Sequence, residues 1–398
     1  HFGVGKHNDV GSGHSCVDCH MSQTTYMGRD HRRDHGFHVP DPQLTKELNI
    51  PNACNKCHED KDTDWAIKWT NTWYGDKLHT PERQRQRART RAISNVYNGN
   101  PNSLDAMLTA YKQEPNPYWQ ASLIQIMQGF ATDPRVQKLA RQAVRSEDSL
   151  VRASACQVLE FSPGNGPWLE PMLQDSVKEV RLAASWAWRT RLSERSEALK
   201  ELKETIAFTA DQPTGAMRMM QLELDAGKLV EAEKWIKKAL ALDQTSAATR
   251  EYYAILLSQM GKPADALTQL KAAAKLDPEN PHYLYLQALT YAELGQTKKT
   301  EMMLRKVISV APNHYRAHKN LGLLLASQNK LNESIQSLYR AEQLDPSDPS
   351  IPYARATVHL RMGQKMEAFE ACRNCLGIDR NYQQALQLLR QIGNPQTP

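Results

Sequence analysis

From about residue 81 onward apolar positions recur at helical spacing, whereas the first 79 residues show no long helical period and are punctuated by glycine and proline. The clearest periodicity lies toward the end. Gly227, Gly261, Gly295 and Gly363 fall on one register of 34, with Asn329 in the fourth place. The unit ends keep that step at Leu242-Asp243, Leu276-Asp277-Pro278, Val310-Ala311-Pro312, Leu344-Asp345-Pro346 and Ile378-Asp379. Small residues repeat at Ala232, Ala266, Thr300, Ser334 and Ala368, where two helices must approach closely. The pattern predicts five helix-turn-helix units from about 213 to 382 and a closing helix to about 391.

Between 81 and 205 the repetition is weaker. Trp119-Gln120-Ala121-Ser122, Val151-Arg152-Ala153-Ser154 and Val180-Arg181-Leu182-Ala183 recur at steps of 32 and 29, each shortly after an Asp or Pro turn signal. These segments resemble HEAT-type helical pairs, and the 34-residue units resemble tetratricopeptide repeats. The expected fold class is mostly α: an irregular segment over 1–80, HEAT-like repeats over 81–205 and tetratricopeptide repeats over 206–398, together an α-solenoid behind an irregular head.

Two stretches at the junction have open readings. Trp65, Trp69 and Trp73 share one face of a helix, with Tyr74 beside them, as a core stripe or as an aromatic wall for a bound group. Arg83, Arg85, Arg87, Arg89 and Arg91 alternate with other residues, which distributes charge around a helix and predicts a solvated opening helix. Cys372 and Cys375 fall in step with apolar positions of the other repeats, and Cys156 stands alone in a helical segment, so all three are expected in packing positions.

Composition adds limits. With 50 Lys+Arg against 44 Asp+Glu, the net charge of +6 argues weakly for nucleic acid, and none is expected as a partner. No apolar run reaches the ~18 residues a membrane span needs.

The head carries the chemistry. It contains Cys16-Val17-Asp18-Cys19-His20 and Cys54-Asn55-Lys56-Cys57-His58, and nine of the 13 histidines lie in its first 79 residues. Two thiols followed directly by an imidazole can form thioethers to one haem and bind its iron from the proximal side. Two c-type haems are therefore expected, held at Cys16, Cys19, Cys54 and Cys57 with His20 and His58 on the metal. Zinc is the alternative, because four cysteines alone make a tetrahedral site, although zinc needs no histidine after each pair. The segment lacks apolar content for a core, and two haems would supply one along with covalent staples.

The run Cys16 to Met21, then Asp34-His35, Pro51-Asn52-Ala53-Cys54 to His58 and Trp73-Tyr74-Gly75 resembles the end of the haem domain in multihaem c-type cytochromes that carry tetratricopeptide repeats. That domain is itself similar to the last two haem sites of ammonia-forming cytochrome c nitrite reductases. The resemblance implies His7 as distal partner of His58, His79 as distal partner of His20, and His35 as ligand to a haem further upstream, which this sequence does not contain. Three assignments stay open for His35: one of the two haems here in place of His79, a haem on upstream sequence, or a haem of a neighbouring subunit. His14, His31 and His38 read as loop or haem-edge residues, and one or two of the alternating arginines as partners of haem propionates.

The expected function is electron transfer through two bis-histidine haems, with the repeat arm for docking or assembly, as in a subunit of an extracellular multihaem filament. Other cytochromes or redox proteins are the expected partners, together with self-assembly through His35. Haem is attached outside the cytoplasm, so an export leader is expected before His1 and the location is periplasmic or extracellular. A reductase of nitrogen or sulfur oxyanions is the second reading, but it needs an open iron, and the Cys-x-x-Cys-Lys motif of the nitrite reductases does not occur. A zinc-stabilised repeat scaffold is the third.

Overall fold

The computed structural model describes residues 15–26, 30–36 and 39–393. It divides into two compact units at Leu202 and Lys203. The irregular head and the first helical stretch thus share one unit.

The first unit begins with α1 (Cys16–His20), a hairpin of β1 (Gln23–Tyr26) and β2 (Asp30–Arg33), then α2 (Pro42–Leu48), α3 (Ala53–Cys57), α4 (Thr63–Leu78) and α5 (Pro81–Tyr97). The strands are antiparallel, with Gln23 opposite Arg33. Among the described residues before α4, only Pro42, Asn52 and Ala53 are buried. A segment with so little buried surface gains almost nothing from the hydrophobic effect, in line with the expectation that it has no apolar core of its own.

The alternating arginines overturn the expectation of a solvated helix. A spacing of four returns to the same helix face, so Arg83, Arg87 and Arg91 form one row and Arg85 and Arg89 another. Arg87 grips Asp41 at the N-terminus of α2 with two hydrogen bonds of 2.7 and 2.9 Å. Arg91 does the same to Glu47 at 2.7 and 3.0 Å and holds its carboxyl down to about 2. Arg83 donates to the Val39 carbonyl at 3.2 Å. On the other row Arg89 pairs with buried Glu114 and stacks 3.7 Å over Trp119. The helix is a strut between α2 and the following helices, and Arg83, Arg87, Arg89 and Arg91 all bond within the fold.

Beyond it follow α6 (Ser103–Gln113), α7 (Pro117–Met127), α8 (Pro134–Ala143), α9 (Ser149–Leu159), α10 (Gly166–Leu169), α11 (Lys178–Trp188) and α12 (Glu197–Phe208), the last running across the unit boundary. The three recurring segments lie on α7, α9 and α11, which pack one against the next. They share a core that includes Ile124, Met127, Val151, Cys156, Leu159, Val180 and Ala184. A second regularity appears only in three dimensions. Arg152 donates to the carbonyls of Ser146 and Glu147, both at 2.9 Å, and to the Asp175 carboxylate at 2.8 and 3.0 Å. Arg181, in the same place on α11, donates to the carbonyls of Asp175 and Ser176 and to the Glu201 carboxylate. Gln120 occupies the place on α7 and donates to the Glu114 carbonyl at 2.7 Å. Each unit thus pins the loop before it, and the two arginines also tie the next element.

The second unit consists of hairpins α13 (Pro213–Asp225) with α14 (Leu229–Leu242), α15 (Ala247–Gln259) with α16 (Pro263–Leu276), α17 (Pro281–Glu293) with α18 (Thr297–Val310), α19 (Tyr315–Ser327) with α20 (Leu331–Leu344) and α21 (Ser350–Arg361) with α22 (Lys365–Ile378), closed by α23 (Gln383–Ile392). All five turns use a left-handed residue at the predicted register: Gly227, Gly261, Gly295, Asn329 and Gly363 have φ between 62° and 75°. Asparagine is the side chain that tolerates this region best after glycine. Ala232, Ala266, Ser334 and Ala368 have no exposed surface, and Thr300 is 4% exposed. Cys372 and Cys375 are fully buried in α22, and burial pushes their thiols up to about 11; Cys156 in α9 is likewise buried and pushed to about 12.

Substituting Gly261→Ala tests the turn register. Nothing lies within 4 Å of a Cβ there, so the φ of +72° alone opposes it. A loss of about 1–2 kcal/mol is expected in urea unfolding. No loss would mean that the left-handed turn is not required.

Candidate functional site

Both Cys-x-x-Cys-His motifs are short helices, and their caps explain why. In α1 the backbone N–H of Ser15 donates to the Asp18 carboxylate at 3.4 Å in a capping box. In α3 the Asn52 side chain accepts from the Asn55 backbone at 3.1 Å and donates to Thr45 of α2 at 2.9 Å. Asn55 in turn donates to the carbonyls of Lys61 and Asp62 at 2.9 and 3.2 Å, where α4 begins. One helical turn between the two cysteines of each motif puts their thiols on one side, with the histidine at the end of the turn.

α1 and α3 pack together. Cys19, Cys54, Cys57 and His58 line one open cleft with Asp18, and Trp65, Trp69 and Trp73 of α4 form a wall of it. The tryptophans are therefore not a core stripe: Trp69 and Trp73 are 36% and 42% exposed. Trp65 and His58 stand with ring centroids 4.7 Å apart, and the His58 Nε2 is buried. α4 kinks at Tyr74, at the end of this wall.

All four thiols are free, with Cys16 and Cys57 exposed. Burial raises the Cys19 thiol, and the neighbouring Cys57 raises it further. Burial also raises Cys54, with Cys19 adding to it. Both motifs thus contribute thiols to one cleft. Among the described residues, no three His, Cys, Asp or Glu side chains are arranged to hold a metal ion.

The histidines separate. His20 ends α1 and is half-buried. His79 caps α4, is exposed, and lines a different cleft with Asp41, Arg87 and Arg91. His35 is exposed in the turn after β2. His31 is exposed on β2 opposite Thr25. His7, His14 and His38 lie outside the described residues. Sequence reasoning did not find the hairpin's part in the site. Arg33 of β2 donates to the Asp18 carboxylate at 2.8 Å and to the Val17 carbonyl at 3.0 Å, and Lys56 of α3 donates to the Gln23 carbonyl of β1. Nothing in the local pattern of residues 23–33 marks these bonds, since they join groups 15 to 33 positions apart.

The family models that match the chain fall within the second unit. Tetratricopeptide repeat family models match residues 223–289 and 281–314, and a TPR repeat model matches 322–363. The chain is 26% identical over 163 residues to a TPR repeat-containing protein of Pseudomonas aeruginosa, covering 40% of this chain and 28% of that one. It is 30% identical over 118 residues to bovine DnaJ homolog subfamily C member 3, covering 28% and 23%. It is also 26% identical over 120 residues to human protein O-mannosyl-transferase TMTC1, covering 30% and 14%. The chain thus spans less than a third of the length of these relatives. Among solved structures, MamA protein is similar with a TM-score of 0.39 and 18% identity, over 43% of this chain and 95% of that one. The TPR protein YrrB is similar with a TM-score of 0.38 and 18% identity, over 47% and 96%. The second unit carries tetratricopeptide repeats, a helical-repeat arm for protein interaction.

Proposed function

We propose that the chain is an electron-transfer protein with two c-type haems, attached at Cys16 and Cys19 and at Cys54 and Cys57, with His20 and His58 as proximal ligands and the repeat arm for docking and assembly. One observation carries this reading: free thiols from both motifs and an imidazole share a cleft with three tryptophans, two of them open to solvent. Large aromatic side chains left exposed cost about 25 cal/mol per Å² relative to burial, and a flat apolar group attached at the thiols would cover them. Haem, when bound, supplies one-electron chemistry; the chain supplies attachment, proximal imidazoles and an apolar wall.

For the distal ligands the proposal keeps His7, His79 and His35. The exposure of His35, away from the thiol cleft, suits donation to a haem of a neighbouring subunit. Self-assembly, or docking to other cytochromes or redox proteins, then continues the electron path. A multihaem filament outside the cell is the specific form of this proposal, and attachment of haem places the chain in the periplasm or beyond. Among the described residues no helix is long and apolar enough to cross a membrane. A zinc scaffold stays as the third reading, in which the thiols would hold an ion and no imidazole would be needed after each pair. The oxyanion reductase reading remains second because it requires an iron with an open distal position.

Intact mass and reduced-minus-oxidised visible spectra of the purified chain test the proposal. Two haems by mass with sharp low-spin bands are expected. A colourless protein rejects it, and a high-spin band favours the reductase. Substituting His35→Ala is expected to leave both haems of the isolated subunit low-spin while abolishing assembly. Loss of low-spin character in the monomer would exclude donation in trans.

A further inference from the structure

The base of the small hairpin touches both motifs. Gln23 and Arg33 are cross-strand partners. From that pair, Arg33 reaches α1 and the Gln23 carbonyl receives Lys56 of α3, two residues before His58. Arg33 makes three contacts on α1: the Asp18 carboxylate at 2.8 Å, the Val17 carbonyl at 3.0 Å and the Met21 carbonyl at 3.4 Å. The two carbonyls bracket His20, so the guanidinium fixes the end of the helix that carries the proximal imidazole.

Asp18 lies between the two cysteines of its motif, only 15% exposed, and lines the thiol cleft. A carboxylate in this place has a consequence beyond packing. A negative charge close to a group that accepts an electron disfavours the reduced state, and partial burial weakens the screening that water and salt would provide. The Arg33 guanidinium, 2.8 Å away, offsets that charge.

The geometry points to Arg33 as the positioning residue of the first motif, and to the Asp18–Arg33 pair as the element that sets the reduction potential of the haem bound at Cys16 and Cys19. This rests on the haem reading above. The charge balance, rather than either residue alone, determines the potential. Removing the acid should raise it, removing the base should lower it, and removing both should restore it. A pair that served stability alone would not produce opposite signs.

The test is potentiometric titration of the full chain, followed at the visible haem bands, with haem number read from intact mass. Asp18→Asn is expected to raise one of the two midpoints. Arg33→Gln is expected to lower the same midpoint by about tenfold in the reduction equilibrium constant, or 59 mV for a one-electron couple. The double variant should return near the parent value, and Arg33→Lys, which keeps the charge, should stay near it. If Arg33→Gln does not fold, Arg33→Met, which removes the charge and keeps the reach of the side chain, takes its place in the comparison. The proposal is overturned if both charge-removing variants move the midpoint in the same direction, if both midpoints move equally, or if neither moves while two haems are present by mass. A parent chain without haem overturns the haem reading and this proposal together, and mass tells that failure from the others.

Discussion

Replacing Cys54 and Cys57 together with alanine is expected to remove one haem per chain, so that intact mass falls by one tetrapyrrole and the visible absorbance by about half. On the proposed attachment each haem would be held by its own pair of thioethers, so the pair at Cys16 and Cys19 should keep its own group. The structural effect should be larger than the loss of two thiols. Among the described residues, the stretch ahead of α4 buries only Pro42, Asn52 and Ala53, and its order depends on capping, the grips of Arg87 and Arg91 on α2, the Arg33 and Lys56 contacts, and the cleft beside Trp65, Trp69 and Trp73. Protease sensitivity over residues 15–62 should therefore rise, and tryptophan emission should increase as the quenching group leaves. An unchanged mass and spectrum would show that this motif holds no haem.

Substituting Arg152→Ala should cost about 3 kcal/mol in urea unfolding, against about 1 kcal/mol for Arg181→Ala at the matching position. The chemistry of the two sites is the same, so the difference lies in burial. The Arg152 and Asp175 side chains are 14% and 8% exposed, whereas those of Arg181 and Glu201 are 26% and 28% exposed. Losing the buried partner leaves the Asp175 carboxylate away from water without its guanidinium, and leaves the Ser146 and Glu147 carbonyls without their donor. The effect has a definite pH dependence. The hydrogen bond from Arg152 holds Asp175 below its ordinary value of 3.8, so its stabilisation is complete above that value and is lost as the pH falls through the lower folded value. The gap between parent and Arg152→Ala should narrow in acid. Equal costs at the two positions, or a gap that widens as the pH falls, would contradict this account.

The repeat arm was legible in the sequence because its demands are local. A helical hairpin with a tight turn needs a left-handed residue at one place and a small residue where its helices touch, and both needs recur every 34 positions from Gly227 to Gly363. The cysteines of the arm were legible for the same reason: Cys372 and Cys375 stand where other repeats place Ile236 and Ala239. The roles of Arg87, Arg89 and Arg91 in α5 were not legible. Their spacing is compatible with a solvated helix, and the acids that hold them, Asp41, Glu47 and Glu114, lie 25 to 46 positions away.

The head divides in the same way. By itself the sequence determined which atoms are available for chemistry, because two thiols and an imidazole within five residues are close in almost any conformation of the chain. It also determined that the stretch has too little apolar surface to fold on that alone. Only the tertiary structure decided that both motifs open on one cleft, that Trp65, Trp69 and Trp73 form its wall rather than a core, that His79 faces a different cleft, and that Arg33 and Asp18 meet. The physical reason is range: caps, turns and helix period act over three or four residues, whereas ion pairs and the placing of a face depend on which distant segments the packing brings together.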